Sequence, residues 1–322
     1  MNKHPLHTVA ALLLALCPLA AAAQQYPAKA VRFIIPFPPG GPTDIMGRLA
    51  ADILAKATGQ QFIADNRGGA GGNIGAELCA KAPADGYTIC MITAAQGVSP
   101  AIYKKMSYDP VKDLATITLM ASLPSLLTVH PALPAKNVKD LLAIAKAKPD
   151  ALTYASTGNG SSPHMLMEMF KFYTGAKMVH VPYKGQAQAV IDQISGQVQL
   201  AFNTAIGVLP QVEAGRLKAI AISSKERFPP MPDLQTVEEG GVKGFDGGSW
   251  QGVGAPANTP PEIIRRLNTI LVTELKTPAM REQMIKRGAL VSANSPEEFS
   301  AYLKAEIVKW TKIAKAGNIS ID

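Results

Sequence analysis

The chain has 322 residues, 47% of them hydrophobic, with 32 Lys and Arg against 24 Asp and Glu. That length suffices for two domains of ordinary size, each with a core of its own. The net charge of +8 is scattered along the chain and only 6% of residues are aromatic, which argues against nucleic acid as a partner.

Residues 1–23 read as a cleavable export signal. Lys3 supplies positive charge, residues 10–20 are apolar, and Ala21-Ala22-Ala23 place the cut before Gln24. The apolar run is short for a bilayer span, so a membrane anchor ranks second. Leu16 is bulky for a lipid-attachment motif at Cys17.

A strand is expected over residues 31–37 and a helix over 44–58, ended by Gly59. Between them lies Pro38-Pro39-Gly40-Gly41-Pro42-Thr43, a stiff loop leading into a helix start. The first N–H groups of a helix have no partner within it, so such a loop can cradle an anion. Asp44 is expected to cap this helix and Thr43 to offer its hydroxyl.

A short strand at 62–64 leads into a second glycine loop, residues 66–75. Gly69, Gly71 and Gly75 do not fit the dinucleotide fingerprint, so this loop reads as another backbone N–H surface beside the first. A strand follows at 87–93. Cys79 and Cys90 flank a helix end, a turn and a strand; two buried free thiols are favoured here over a disulfide.

Strands at 114–120 and 126–130, broken at Pro124-Ser125, mark a crossover into a second domain. There the cradle design recurs: a strand at 152–156, the loop Thr157-Gly158-Asn159-Gly160-Ser161-Ser162, and a helix over 164–174. Strands at 178–182, 198–203 and 217–223 alternate with a helix over 185–195, which argues for parallel sheets. Glycines between 240 and 248 mark the return. A strand at 250–255 and helices at 260–275 and 278–287 follow. Ser295-Pro296-Glu297-Glu298 is a capping box opening the last helix. The division expected is 24–124 with 247–322 as one domain and 125–246 as the other.

The three histidines after the signal (His130, His164 and His180) lack the spacing of a metal site, and no nucleophile elbow or phosphate loop is present. Ser161 and Ser162 read as helix caps rather than nucleophiles served by His164. No cofactor is expected.

The loops at 36–44, 66–75, 83–88 and 154–164, together with 181–185, 211–216 and 250–261, resemble the Bug family in order along the whole mature chain. These are extracytoplasmic solute-binding receptors of tripartite tricarboxylate transporters. The resemblance implies an α/β, two-lobed periplasmic binding protein of the type II, Venus-flytrap kind, with a cleft between the lobes. It implies a monomer that binds a small di- or tricarboxylate or aromatic acid through loop amides and hydroxyls and delivers it to membrane permease subunits. Carried over by position, the expected first-lobe contacts are Phe37, Gly41, Thr43 and Asp44, with Gly71 and Gly72 nearby. The second-lobe contacts are Ser156, Thr157, Gly158, Ser161 and His164, completed by Tyr183, Asn203 and Thr204. The chain departs from its relatives at Gln199, where many are acidic, and at Gln186-Ala187-Gln188, where they carry glycine and proline. A ligand-sensing receptor for a signalling partner is the alternative role, and an enzyme using the same cleft a more remote one.

Overall fold

The computed structural model describes residues 26–321. The expected signal, its cleavage site and Cys17 lie outside the described residues.

The first part of the chain is β1 (Val31–Ile35), α1 (Pro42–Thr58), β2 (Phe62–Asn66), α2 (Asn73–Ala80), β3 (Thr88–Thr93), α3 (Ala94–Ile102) and β4 (Leu114–Leu123). The middle is β5 (Ser125–Val129), α4 (Val138–Ala147), β6 (Thr153–Ser156), α5 (Ser162–Thr174), β7 (Val179–Pro182), α6 (Gln186–Ile194), β8 (Leu200–Thr204), α7 (Ala205–Glu213) and β9 (Lys218–Ile222). The last part is β10 (Ser249–Pro256), α8 (Pro261–Leu275), α9 (Pro278–Lys286), β11 (Leu290–Val291) and α10 (Pro296–Ala316).

Two sheets result. One has the order β11-β4-β10-β3-β1-β2 and the other β7-β6-β8-β5-β9. Helices cover both faces, so the central strands are buried along their length: all six residues of β3 are buried, and all eight of β10. The expectation of parallel sheets holds only in part. β1 pairs in parallel with β2 and β3, and β6 with β7 and β8. β10 runs antiparallel to β3 and β4, however, and β5 antiparallel to β8 and β9. These are strands beside the two crossovers, where the chain changes sheet without a helical return to reset its direction.

Glycine spacing lets α10 close over the first sheet. A Cβ on Gly252 of β10 would stand 2.3 Å from the Phe299 ring. Further along α10, the buried Glu306 carboxylate accepts from both indole N–H groups, Trp250 at 3.1 Å and Trp310 at 3.2 Å. Trp310 and Ala314 then join the core under the second sheet, as do Val98 and Ile102 of α3. Both helices therefore span the two sheets. The Ser295 capping box is formed in both halves.

Two helices are absent from the sequence reading, α3 and α7. Each carries an internal proline, Pro100 and Pro210, and proline normally argues against a helix interior. The free-thiol expectation is also corrected. Cys79 and Cys90 form a disulfide, because α2 packs on β3 and sets their Cα atoms 6.1 Å apart, within bonding range.

A bridge closing a separation of 11 residues stabilises by about 3 kcal/mol in the chain-entropy picture. Denaturant unfolding with and without reductant should therefore differ by about 2–3 kcal/mol. Superimposable curves, or free thiols at Cys79 and Cys90 in peptide maps, would contradict the bridge.

Candidate functional site

Between the sheets lies a cavity of about 580 Å³. It falls in the range of small-molecule sites. Five helix starts border it. Gly41 is the N-cap of α1, and Gly41, Pro42 and Thr43 all line the wall. Thr93, the N-cap of α3, lines it with Ala94 and Ala95. Ser161, Ser162 and Pro163 open α5, and Gly185, Gln186, Ala187 and Gln188 open α6. Thr204 is the N-cap of α7. Each helix start presents the positive end of its dipole; α1, α5 and α6 also leave first-turn N–H groups without a partner, whereas the Ala95 N–H of α3 is capped by Thr93 and the Ala205 N–H of α7 donates to the Pro124 carbonyl. Among the described residues that line it only Lys184 carries a charge, and none is acidic.

Much of the rest of the wall is apolar, with Thr157, Lys184, Ser249 and Gln251 as polar exceptions. Phe37, Pro38 and Pro39 form one side, and Pro182, Tyr183 and Ile191 the other. The prolines hold the loops in place and have no N–H of their own to leave unsatisfied.

Seven of the expected residues line the cavity: Phe37, Gly41, Thr43, Thr157, Ser161, Tyr183 and Thr204. The other seven do not line it. Asp44 is not a cap; it sits in the first turn of α1, whose N-cap is Gly41. Its carboxylate accepts from the Gly40 N–H at 2.9 Å, from Arg48 and from Asn66, so it fastens the loop from behind. Burial alone would raise its pKa, but these hydrogen bonds outweigh burial and hold the carboxyl below the usual carboxylate range.

Gly41 has an ordinary extended conformation, and a Cβ there would meet only the Pro38 carbonyl at 3.9 Å. The left-handed turn falls on Gly40, with φ +81°.

Gly72 packs under the Phe37 ring, and Gly158 lies on the interlobe contact described below. Ser156 accepts from the Gly158 N–H and meets His180 Nε2 at 2.6 Å. His164 Nδ1 accepts from the Gly160 N–H at 3.2 Å, and its ring stacks on His180 with centroids 4.3 Å apart. His180 stacks in turn on Tyr154, whose hydroxyl donates to Glu168. Burial, followed by the neighbouring His164, pushes the pKa of His180 down to about 4. Two neutral imidazoles can then stack beneath the 157–161 loop. Asn203 turns away to Thr128 and Gln193.

The serines are braces rather than the side-chain caps expected: Ser161 holds the N-cap position of α5, but its hydroxyl caps no helix N–H. Ser161 Oγ donates to the Gly158 carbonyl at 2.6 Å and Ser162 Oγ to the Gly248 carbonyl at 3.1 Å. Among the described residues no group of three or more His, Cys, Asp or Glu could hold a metal ion.

Of the two departures from the family pattern, only one reaches the cavity. Gln199 Oε1 accepts from the Thr153 N–H and hydroxyl at 2.8 Å, away from the cleft. Gln186 is buried in the wall, and its amide grips both the carbonyl and the hydroxyl of Thr204. Missing from the sequence reading are the α3 start, Ser249 and Gln251. Gln251 sits inside an apolar strand, and nothing in its local pattern marks it.

The lobes meet where the 70–72 loop touches the 158–160 loop. A Cβ on Gly71, at φ +63°, would stand 2.3 Å from the Asn159 carbonyl oxygen, with Gly158 close by. Two backbones approach here with no room for a methyl group. Gly71→Ala should hold the lobes apart. X-ray scattering of the variant with saturating ligand should give a larger radius of gyration than wild type, and affinity should fall by tenfold or more, about 1.4 kcal/mol. Equal radii and equal affinity would contradict a closed contact at this point.

The model of the "Tripartite tricarboxylate transporter family receptor" matches residues 46–319. The chain is 33% identical to the protein BugT of Bordetella pertussis over 319 residues, 98% of each chain. Among solved structures, R. palustris Rpa4515 with adipate superposes with a TM-score of 0.89 at 37% identity, covering 92% of this chain and 99% of that one. MatC from Rhodopseudomonas palustris with bound malate gives 0.86 at 30% identity, covering 89% and 99%. The chain therefore belongs to the tripartite tricarboxylate transporter receptor family, as its loops led us to expect.

Proposed function

We propose that the chain captures a small carboxylate between its lobes in the periplasm and passes it to the membrane subunits of a tripartite transporter. It does so as a monomer and without catalysing a reaction. The family consists of receptors, and its members are periplasmic binding proteins. Adipate and malate in the two structural neighbours are both dicarboxylates.

The observation that carries the reading is the set of five helix starts on one cavity. A carboxylate placed there meets N–H donors and hydroxyls already oriented, and it displaces no buried counter-ion. The Thr157 hydroxyl has no hydrogen-bond partner among the described residues, although the residue lines the wall. It is therefore free to donate to an anion. The apolar wall accommodates the carbon skeleton. Ser156 and His180, held 2.6 Å apart, both lie outside the cavity lining, so the wall supplies donors without a nucleophile and base facing the ligand, which suits holding it rather than converting it. Lobe closure follows from differential affinity, since neither lobe supplies all the donors.

Calorimetric titration with a panel of four- to eight-carbon mono- and dicarboxylates, each beside its neutral amide, tests this. At least one carboxylate should bind and its amide should not. Thr157→Ala should weaken that carboxylate by tenfold or more, since a hydrogen bond to a charged group contributes roughly 1.5–3 kcal/mol. Amides that bind as well as acids, or an unaffected Thr157→Ala, would contradict the anion cradle.

A further inference from the structure

We propose that His164 is a positioning residue of the second-lobe cradle: its neutral ring holds the 157–161 loop through Gly160, so that a proton taken up by the ring loosens the loop and lowers ligand affinity. The inference rests on the carboxylate reading above. It starts from the direction of one hydrogen bond. His164 is 8% exposed, and its Nδ1 accepts from the buried Gly160 N–H at 3.2 Å. A backbone N–H can only donate, so Nδ1 is the bare nitrogen and the ring hydrogen sits on Nε2. A ring protonated at both nitrogens would set donor against donor here. The Gly160 N–H would then have to move to find another acceptor.

That bond bears on both working parts of the loop. Thr157 and Ser161 line the cavity, and the Asn159 carbonyl between them meets Gly71 at the seam. Gly158 and Gly160 hold left-handed conformations, φ +110° and +75°, which glycine exchanges readily for others. A loop this free in itself depends on what it is tied to. The second tie has the same polarity as the first. Ser156 Oγ accepts from the Gly158 N–H at 3.1 Å, and its own proton has His180 Nε2 at 2.6 Å, nearer than the Gly158 carbonyl at 3.3 Å. Both imidazoles thus serve the loop as acceptors, and only neutral rings can do so.

The surroundings keep the rings neutral near pH 7 and let them charge in mild acid. The two rings stack with centroids 4.3 Å apart, so a proton on one opposes a proton on the other. The charged groups that face the pair are Glu168 and Lys171, both on α5, and they pair with each other at 2.8 Å. β6 contributes the Tyr154 hydroxyl, which donates to Glu168, and β7 contributes His180 itself. Burial pushes the pKa of His164 down from the usual 6.5, as it does that of His180. The brace is therefore intact above pH 6.5 and is lost as pH falls through the depressed values toward about 4. A ligand that needs the assembled loop in turn holds the proton off.

Two measurements test this, the first without ligand. In protein carrying isotope-labelled glycine, the Gly160 amide resonance should shift between about pH 7.5 and about pH 4.5, with circular dichroism showing the fold retained. In His164→Asn, whose Oδ1 can stand in for Nδ1 but does not titrate, it should stay put. The second is calorimetry at both pH values with the tightest-binding acid of the four- to eight-carbon panel. Wild type should lose at least about threefold more affinity on acidification than His164→Asn, the ligand's own titration being common to both. Near pH 7.5, His164→Ala should bind on the order of tenfold more weakly than wild type, and His164→Asn should recover most of that loss. A Gly160 resonance indifferent to pH in wild type would overturn the proposal even if a variant failed to fold. Equal losses on acidification in wild type and His164→Asn would overturn it too, and either result leaves the carboxylate reading standing. Failure of every acid to bind near pH 7.5 would sink the carboxylate reading, and this inference with it.

Discussion

Partial positive charge from five helix starts, gathered without a buried cation, is the constraint on which the rest of the molecule depends. An N–H at a helix start is useful only if it points at a fixed place, so the loops that carry it must be rigid. Pro38, Pro39 and Pro42 stiffen one such loop, and Asp44 ties it to Arg48 and Asn66 from behind. Pro163 and the stacked His164 and His180 do the same under the other lobe. The charged groups of the first loop are spent on bracing, and backbone faces the cavity. A carboxylate then meets prearranged dipoles rather than a flexible ammonium that would have to be ordered on binding.

Lobe movement sets the second requirement. Donors on opposite walls must separate to admit a ligand and converge to hold it, so the lobes need both a firm connection and a clean line of contact. The connection is the Trp250–Glu306–Trp310 link, through which α10 runs from one sheet to the core of the other. Contact is backbone on backbone at Gly71 and Asn159, where any side chain would keep the cleft ajar. Gly71 thus lies near the ligand in sequence motif but acts at the seam.

Sequence reasoning reaches what local chemistry marks. The loops before α1 and α5 are legible because proline, glycine and hydroxyl residues interrupt apolar runs at a strand end. Seven of the expected site residues line the cavity for that reason. The starts of α3 and α7 are hidden because Pro100 and Pro210 argue against helices that tertiary packing nevertheless imposes. Cys79 and Cys90 pair because α2 lies on β3, a contact between elements that spacing alone does not fix. Gln251 is invisible for a similar reason: it is a polar residue within a buried strand, and only the sheet register brings it opposite Thr93 and against Thr43. Asp44 and His164 fall within the right motifs yet serve as supports, a distinction that depends on side-chain direction.

The most direct test of the central claim is the affinity of Lys184→Ala for the carboxylate that wild type binds, read by calorimetry on folded protein. Lys184 is the one charged residue in the cavity wall among the described residues, and it is exposed. If helix starts hold the anion, the loss should stay within about threefold, less than one hydrogen bond to a charged group contributes. Abolished binding in this variant would contradict the account and make the site a cation pocket.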